Sequence, residues 1–442
     1  MYSNIYFIGI GGIGMSAIAR YFHAKGRKVS GYDRTSSPLT EALQREGIEV
    51  HYEDNPAFVP VDKEDTLIVY TPAVPQDMSE LAYVQKNGYR VLKRSAMLGE
   101  ITKGQRCMAV AGTHGKTTTS TLSAHLFTAC GEGCSAFLGG ISKNYGTNLL
   151  TSSNDVIVAE ADEFDRSFLQ LHPEIAVITS MDADHLDIYG DKEHVHEAFR
   201  AFASQVSGTV IVKHGLPITS DDTKAAIRTY AFGNPAADFH AEALEDGHFN
   251  LHYPGGVIED CTVGIPGWVN VENAVAAAAI ALTYGLEPQK IKMALESFTG
   301  VARRFDIRVK KEGCVYIDDY AHHPEEISAA LSSIRNSYPG MKMTVVFQPH
   351  LYTRTRDFAP EFAAALSKAD KLILLDIYPA REEPIPGVTS EIIFKDVTCR
   401  EKILIRREEL TDCLRKENIE LLVTLGAGDI DRFAGEIAEM LG

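Results

Sequence analysis

The sequence is poor in cysteine and tryptophan and has no long hydrophobic run. Its seven cysteines are an odd number, are scattered over 442 residues and form no C-x-x-C pair. This excludes a disulfide scaffold, favours reduced thiols and leaves Cys130 and Cys134 without partners for a zinc site. No apolar stretch reaches the roughly 18 residues that cross a bilayer, and no basic leader precedes the first strand. We therefore expect a cytoplasmic protein without a membrane segment.

Positive charge is also scarce. The chain carries 43 Lys and Arg against 60 Asp and Glu, which gives a formal net charge of −17. Such a chain repels nucleic acids and anionic membranes, and no basic run or aromatic platform offsets the repulsion. The expected partners are therefore small molecules. Anionic ones must be held in local pockets by backbone amides, a few placed cations and bound Mg²⁺.

The pattern of apolar segments predicts an α/β fold in three domains, since 442 residues are too many for one core. Residues 1–103, 104–301 and 302–442 each alternate short apolar strands with helical stretches, which is typical of a parallel sheet with crossover helices. Thr66 to Tyr70 and Leu421 to Leu425 are two of the predicted strands. We predict a Rossmann-like N-terminal domain, a central P-loop ATPase-like domain and a Rossmann-like C-terminal domain. The central domain is expected to carry a small antiparallel patch at about 230–265.

The segment from Gly112 to Thr119 is the most informative one. It follows a short apolar strand, precedes a helix predicted from Ser120 to Cys130 and reads G-T-H-G-K-T-T-T. Gly112 and Gly115 allow a tight turn whose amides point inward, Lys116 adds a positive charge, and Thr117 offers a hydroxyl to Mg²⁺. The segment predicts an ATP site with bound Mg²⁺, and we expect Lys116 to be an exposed loop residue.

A second glycine loop follows the first strand. Gly9, Gly11 and Gly14 match G-x-G-x-x-G, and Asp33 closes the next strand. This arrangement places a diphosphate at a helix N-terminus. Taken alone, the pattern indicates an NAD cofactor, but it is not specific, because a UDP-sugar presents the same diphosphate to such a loop.

Acids and amides follow further strands of the central segment. Glu160 ends a buried strand, where a carboxylate can bind Mg²⁺, although clustered acids also occur in solvated loops. His185 is a candidate for a second divalent ion or for a structural hydrogen bond. Asn270 is predicted to cap the helix Val271 to Tyr284, and Asn273 lies one turn later, where it can meet the nucleotide.

The last segment concentrates arginine and histidine after its strands. Arg303 and Arg304 lie near its start, the run Asp318 to Pro324 reads D-D-Y-A-H-H-P, and Gln348 to Arg356 reads Q-P-H-L-Y-T-R-T-R. Guanidinium groups clamp phosphates or carboxylates in bidentate fashion. These loops therefore predict a site for a substrate with a free carboxylate, held by Arg354 or Arg356.

Taken together, these motifs resemble those of the ATP-dependent Mur ligases of peptidoglycan synthesis. The resemblance rests on the following segments, in this order along the whole chain: G-T-H-G-K-T-T-T, E-A-D-E, D-A-D-H-L-D, N-x-x-N-A, R-R-F-D, D-D-Y-A-H-H-P and Q-P-H-x-Y-T-R-T-R. The N-terminal G-I-G-G-I-G-M-S and the D-D-Y-A-H-H-P run are most similar to the branch that ligates L-alanine to UDP-N-acetylmuramate. A closely similar branch adds a recycled tripeptide to the same sugar nucleotide.

The resemblance implies a site for each substrate. The UDP-sugar would be held by Gly9, Gly11, Gly12, Ile13, Gly14 and Asp33. ATP would be held by Gly112, Thr113, His114, Gly115, Lys116, Thr117, Thr118, Asn270, Asn273, Arg304 and Asp319, with Mg²⁺ on Thr117, Glu160 and His185. L-Alanine would lie among Tyr320, His322, His350 and Arg354. The catalytic set would be Lys116, Glu160, His185, Arg304, His322 and Arg354.

The resemblance also implies a mechanism. Phosphoryl transfer from ATP to the lactyl carboxylate would give an acyl phosphate, which the amine of L-alanine attacks after His322 or His350 removes its proton. The enzyme would act as a monomer or a homodimer. The residues alone leave two other classes open: an NAD(P)-dependent oxidoreductase built on the first glycine loop, and a non-catalytic protein gated by nucleotide.

Overall fold

The computed structural model of the chain describes residues 2–182, 189–380 and 382–442. These residues fall into two compact units. The first comprises the residues up to Gly264 together with Asn270–Thr299, and the second comprises Ile265–Val269 and Gly300–Gly442. The first unit contains two sheets and the second contains one. The domain boundaries near residues 103 and 301 stay a prediction.

The N-terminal part of the first unit is a parallel sheet with crossover helices. Its elements are β1 (Asn4–Ile8), α1 (Ile13–Ala24), β2 (Lys28–Tyr32), α2 (Pro38–Arg45), β3 (Glu49–His51), β4 (Thr66–Tyr70), α3 (Ser79–Lys86), β5 (Arg90–Lys93) and α4 (Arg94–Thr102). The five strands are all parallel and lie in the order β3-β2-β1-β4-β5. The direction of winding reverses between β1 and β4. Ligands of doubly wound sheets bind in the crevice outside the carboxyl ends of the strands at such a point.

The rest of the first unit is built on a sheet of ten strands. The strands are β6 (Arg106–Ala111), β7 (Ser135–Ser142), β8 (Thr147–Leu150), β9 (Val156–Ala161), β10 (Ile175–Ile178), β11 (Thr209–Lys213), β12 (Ala226–Phe232), β13 (Phe239–Ala243), β14 (Phe249–Tyr253) and β15 (Gly256–Cys261). The helices are α5 (Lys116–Ala129), α6 (Lys192–Ser204), α7 (Trp268–Tyr284) and α8 (Pro288–Glu296). The strand order is β15-β14-β13-β12-β11-β10-β6-β9-β7-β8, with antiparallel pairing in β7-β8 and β13-β14-β15. Strands β13, β14 and β15 form the predicted antiparallel patch.

Helix α5 is buried along most of its length. Every residue from Thr117 to Phe127 is buried, and the small Thr, Ser and Ala side chains let the helix approach β7, β9 and α8 closely. The position of its first turn is therefore fixed at the carboxyl end of β6.

A buried amide joins the two sheets of the first unit. Asn148 of β8 is fully buried and donates to the Ile13 carbonyl at 2.6 Å and to the Ser16 hydroxyl at 3.0 Å, both on α1. Arg20, one turn further along α1, donates to the Asn148 side-chain oxygen at 2.5 Å. Because a buried amide without these partners would be costly, the contacts hold α1 and the loop before it against the central sheet.

The second unit contains a mixed sheet. Its elements are β16 (Asp306–Lys311), β17 (Cys314–Asp319), α9 (Pro324–Ser337), β18 (Met343–Phe347), α10 (Tyr352–Asp357), α11 (Ala359–Leu366), β19 (Lys371–Leu374), α12 (Glu391–Phe394), β20 (Glu401–Leu404), α13 (Leu410–Leu414), β21 (Leu421–Leu425) and α14 (Ala434–Leu441). The strand order is β16-β17-β21-β18-β19-β20, and only β16 and β17 pair antiparallel among these described strands. The central strands are fully buried, as their apolar sequences predict.

The structure confirms the α/β fold and corrects two helix starts. The helix predicted from Ser120 begins at Lys116, because Gly115 caps it in a left-handed conformation with φ of 80°. The helix predicted from Val271 begins at Trp268. Asn270 is therefore a buried residue of the first turn and not the N-cap. None of the helices in the described ranges is long and apolar enough to cross a membrane.

Candidate active site

The loop between β6 and α5 needs glycine at two positions. Gly112 has φ of 135°, and a Cβ on it would lie 2.0 Å from the Thr179 hydroxyl. Gly115 has φ of 80°, and its Cβ would lie 2.8 Å from the side-chain oxygen of Asn273. A side chain at Gly112 would collide with Thr179, just after β10, and one at Gly115 would collide with Asn273 of α7.

The first turn of α5 has the features of a phosphate site. Gly115 makes no side-chain cap, so the amides that open the helix stay available to an anion. The loop itself is fixed from the neighbouring strand: the His114 amide donates to the Ser180 hydroxyl at 2.7 Å, and the Thr113 hydroxyl donates to the Asp182 carbonyl at 3.2 Å. These residues fit the phosphates of a nucleoside triphosphate, the ligand that the sequence predicts.

Lys116 is not the exposed loop residue that we expected. It is the first residue of α5, and its side chain is only 14% exposed. Its ammonium nitrogen lies 2.7 Å and 2.9 Å from the two carboxylate oxygens of Glu163, whose side chain is 2% exposed. Burial alone would lower the pKa of Lys116, but the charges of Glu163, Asp162 and Glu160 outweigh it and raise that pKa. Lys116 therefore stays protonated.

Oxygen donors for a divalent cation lie beside this pair. The Thr117 hydroxyl donates to Glu160 Oε1 at 3.2 Å, and the Ser120 hydroxyl and the Gly139 amide approach Glu160 Oε2 at 3.4 Å and 3.2 Å. A carboxylate and a threonine hydroxyl at the start of the helix are hard ligands that fit Mg²⁺. His185, the third predicted ligand, lies outside the described residues.

The first glycine loop lies at the winding reversal between β1 and β4. Gly9 has φ of 87°, and a Cβ on it would lie 2.5 Å from the methyl group of Thr71, just after β4. The Gly11 amide donates to Asp33 Oδ2 at 2.7 Å, so in this structure Asp33 holds the loop. Gly12 precedes α1 without a side-chain cap, which leaves the first amides of α1 available for a diphosphate.

Two basic residues that the sequence analysis missed lie between the two loops. A Cβ on Gly14 would be 2.9 Å from a guanidinium nitrogen of Arg94, and Arg94 also pairs with Asp162 at 3.4 Å. Its neighbour Lys93 pairs with Asp165 at 3.0 Å. The only signal in the sequence was a Lys-Arg pair at the start of a helical stretch, which is common on any surface.

In the second unit, the loop that carries Arg304 is held against the end of β17. Arg303 and Phe305 flank Arg304 with φ of 62° and 48°, a conformation that costs energy for residues other than glycine. The Phe305 amide donates to Asp319 Oδ2 at 2.7 Å. Both guanidinium groups lie over the ring of Tyr320, at 5.1 Å and 4.9 Å from its centroid.

Arg303 ties this loop to the end of β21. It donates to the Gly426 carbonyl at 2.5 Å and lies 3.5 Å from Asp318 and 3.3 Å from Asp431. Burial raises the pKa of Asp318 to about 6, against the opposing charge of Arg303. The sequence shows Arg303 only as part of the R-R-F-D motif. No local pattern links it to Gly426 or Asp431, which lie more than a hundred residues further along the chain.

The residues predicted to bind the amino acid lie in the second unit. The rings of Tyr320 and His322 lie 5.2 Å apart, and those of His322 and His350 lie 5.9 Å apart. Burial lowers the pKa of His322 to about 4; Glu326 opposes the shift, and the charges of Arg354 and Arg304 add to it. His322 is therefore neutral at pH 7. The structure thus places all four predicted residues, Tyr320, His322, His350 and Arg354, in one unit.

The chain matches the Mur ligase family in three consecutive stretches. Residues 4–106 match the Mur ligase family, catalytic domain, residues 110–281 match the Mur ligase middle domain, and residues 303–430 match the Mur ligase, glutamate ligase domain.

Similar proteins and structures carry related names. The UDP-N-acetylmuramate--L-alanine ligases of Parabacteroides distasonis and Phocaeicola vulgatus are each 50% identical to this chain, over 99% of it and 97% and 98% of their own lengths. The crystal structure of UDP-N-acetylmuramate-alanine ligase from Thermotoga maritima superimposes with a TM-score of 0.84 at 27% identity, over 99% of this chain and 98% of that one. A murein peptide ligase from Psychrobacter arcticus shares the fold, with a TM-score of 0.73 at 20% identity over 100% of this chain and 99% of that one.

The buried pair predicts the stability of variants. Lys116→Ala leaves the Glu163 side chain, which is 2% exposed, without its countercharge, and removing one partner of a buried pair costs about 3–5 kcal/mol. We expect this variant to unfold at a lower temperature than wild type, and Lys116→Ala combined with Glu163→Gln to recover most of the loss. Calorimetry on the nucleotide-free chain measures both. If Lys116→Ala were as stable as wild type, the ion pair between Lys116 and Glu163 would not form in the folded chain.

The pKa of His322 predicts a pH dependence. An ordinary histidine titrates near 6.5, whereas folded His322 titrates near 4. As the pH falls, the unfolded chain binds this proton first, so the contribution to stability is full above about pH 6.5 and is lost towards about pH 4. We expect His322→Gln to lose less thermal stability than wild type over this interval. His194→Gln is the control, because the His194 side chain is half exposed. If His322→Gln lost as much thermal stability between these pH values as wild type and this control, the burial of a neutral imidazole at His322 would be contradicted.

Proposed function

The chain belongs to the Mur ligase family, and we propose that it joins L-alanine to UDP-N-acetylmuramate at the expense of ATP, in the synthesis of peptidoglycan precursors. The observation that carries this function is the 50% identity, over nearly the full length, to ligases that bear this name. The glycine loop before α5, with the Lys116–Glu163 pair and Glu160 beside it, supplies the phosphate chemistry that such a reaction needs.

We assign the UDP-sugar to the loop before α1. The uncapped amides at Gly12 and Ile13 lie beside the winding reversal of the first sheet, where a diphosphate fits. Gly9 and Gly11 allow a ligand to approach the backbone. An oxidoreductase function based on this loop would leave the second phosphate loop and its carboxylates without a role.

We assign ATP to residues Gly112 to Thr118, with Asn273 supporting the loop through the contact of its side-chain oxygen with Thr119 at 3.3 Å. Thr117 and Glu160 would hold Mg²⁺, together with His185. Bound Mg²⁺ would neutralise phosphate charge and orient the terminal phosphoryl group. Nucleotide contacts are also proposed for Asn270, Arg304 and Asp319.

The reaction must activate a carboxylate before an amine can attack it. An oxygen of the lactyl carboxylate attacks the γ-phosphorus of ATP, the bond to the bridging oxygen breaks, and ADP leaves. The resulting acyl phosphate has phosphate as a good leaving group. Lys116 would stabilise charge on the transferring phosphoryl group, because its ammonium is protonated and held at the start of α5.

We assign L-alanine to the cluster around His322. Arg354 would bind its carboxylate in bidentate fashion. With a pKa of about 4, His322 is a poor proton acceptor for an ammonium group, so we assign it hydrogen bonding to the substrate. His350 is then the better candidate for the base that frees the amine, which attacks the acyl carbonyl and expels phosphate.

The tripeptide-adding reaction has less support. The murein peptide ligase from Psychrobacter arcticus is 20% identical to this chain, and that level of likeness speaks for the fold alone. Because ATP and nucleotide sugars are intracellular metabolites, we also propose that the reaction takes place in the cytoplasm.

The ligase reaction is testable with purified substrates. We expect phosphate release only when UDP-N-acetylmuramate, ATP and L-alanine are all present, together with a product heavier by one alanyl residue in mass spectrometry. Glycine, L-serine and the recycled tripeptide serve as competing amines. Release with the tripeptide but not with L-alanine would assign the chain to the other reaction.

Arg354 is expected to act on the amino acid and not on the nucleotide. Losing a charged hydrogen bond of roughly 1.5–3 kcal/mol lowers kcat/KM for L-alanine at least about tenfold in Arg354→Ala, with KM for ATP nearly unchanged. Arg356→Ala is the matched control, since Arg356 is half exposed and pairs with its neighbour Asp357 at 2.6 Å. Equal effects of the two variants would move the carboxylate site elsewhere.

A further inference from the structure

Glu163 is a buried acid to which no step of the proposed reaction assigns a role of its own. It lies three residues after Glu160, at the start of the segment that follows β9. We propose that Glu163 is a positioning residue that holds the Lys116 ammonium in the orientation needed for phosphoryl transfer. The proposal rests on the proposed function, because it gives Glu163 a role only through Lys116.

The first support is the geometry of the ammonium group. An ammonium has three donors. In this structure the Lys116 nitrogen lies 2.9 Å and 2.7 Å from the two carboxylate oxygens of Glu163 and 3.3 Å from the Thr113 carbonyl. These three acceptors fix the end of a side chain that otherwise has many rotamers.

The second support is that Glu163 is itself fixed. Its carbonyl accepts the Tyr189 hydroxyl at 2.6 Å and the Arg166 amide at 2.9 Å. Asp165 and Arg166, two and three residues after it, both have φ of 54°. Two consecutive residues other than glycine hold this conformation only where the surroundings impose it, and such strain is typical of functional sites.

The third support comes from the other end of the same segment. Asp162 pairs with Arg94 at 3.4 Å, and Asp165 pairs with Lys93 at 3.0 Å. The acids on either side of Glu163 are thus bound to the start of α4, while Glu163 alone of the three pairs with the phosphate-loop lysine. Contacts to Lys93 and Arg94 thus hold the segment on both sides of Glu163, and Glu163 itself contacts Lys116.

A direct role as a metal ligand fits Glu163 less well than Glu160. Both oxygens of Glu163 lie on the Lys116 ammonium, whereas Glu160 faces the hydroxyls of Thr117 and Ser120. Stability alone is also a weak reason for the pair, because a buried ion pair is rarely more stable than apolar residues of the same volume. Orientation of Lys116 explains why charge is kept at this place.

The test is the variant Glu163→Gln in the full-length chain. Glutamine keeps the size of the side chain and one acceptor, but it loses the charge-assisted contact. We expect kcat to fall at least about tenfold, from the loss of oriented charge in the transition state. Affinity for a non-hydrolysable ATP analogue, measured by calorimetry, should stay within about twofold, since no negative charge is added near the phosphates.

Two comparisons make the result specific to Lys116. In a Lys116→Ala background, Glu163→Gln should lower kcat no further, because the group on which it acts is gone. Glu174→Gln is the matched control: Glu174 makes an equivalent bidentate contact to Arg106, at 2.7 Å and 2.8 Å, before β10 and away from the loop. This control should keep wild-type kcat.

Three outcomes would overturn the proposal. These are an unchanged kcat in Glu163→Gln, a fall of analogue affinity as large as the fall of kcat, and a further loss of kcat in the Lys116→Ala background. An inactive wild type would instead reject the ligase assignment. In that case the unfolding temperatures of wild type, Glu163→Gln, Lys116→Ala and the double variant still decide whether Lys116 and Glu163 are coupled. If the changes in unfolding temperature of the two single variants add up in the double variant, the positioning role is rejected as well.

Discussion

The site depends on two glycines that let a loop lie flat against a sheet. Thr179 and Asn273 occupy the space that a side chain at Gly112 or Gly115 would need, at 2.0 Å and 2.8 Å. Gly115, in a left-handed conformation with φ of 80°, directly precedes α5, so the helix begins at Lys116. This places Lys116 and Thr117 at the first turn, where Glu163 and Glu160 meet them. The proposed phosphate site, the proposed orientation of Lys116 and the proposed metal site thus share one backbone constraint.

The same principle recurs in all three sheets. Functional side chains follow the carboxyl ends of parallel strands, where helix N-termini and polar loops gather. Gly9 follows β1, Glu160 lies at the end of β9, and Asp319 ends β17. In the proposed reaction, backbone amides and a few buried cations at these edges would hold the anionic substrates, in a chain whose formal net charge is −17.

Local patterns predicted the fold well and the site only in part. The strands at Thr66–Tyr70 and Leu421–Leu425 were predicted with their observed bounds, because short apolar runs between turns have few alternatives. The start of α7 was wrong by three residues, since an Asn before an alanine-rich stretch also looks like a cap. Contacts between distant residues could not be predicted. Lys116 with Glu163, Arg94 with Gly14 and Arg303 with Gly426 depend on how strands pair, and no local spacing encodes that.

The central claim is that these residues activate a carboxylate by transferring a phosphoryl group to it. The most direct measurement uses UDP-N-acetylmuramate whose lactyl carboxylate carries ¹⁸O. If an acyl phosphate forms, one of the two carboxylate oxygens leaves with the phosphorus, and mass spectrometry of the released inorganic phosphate will show a single ¹⁸O atom that came from the sugar. Phosphate free of ¹⁸O, released alongside the alanyl product, would contradict the account.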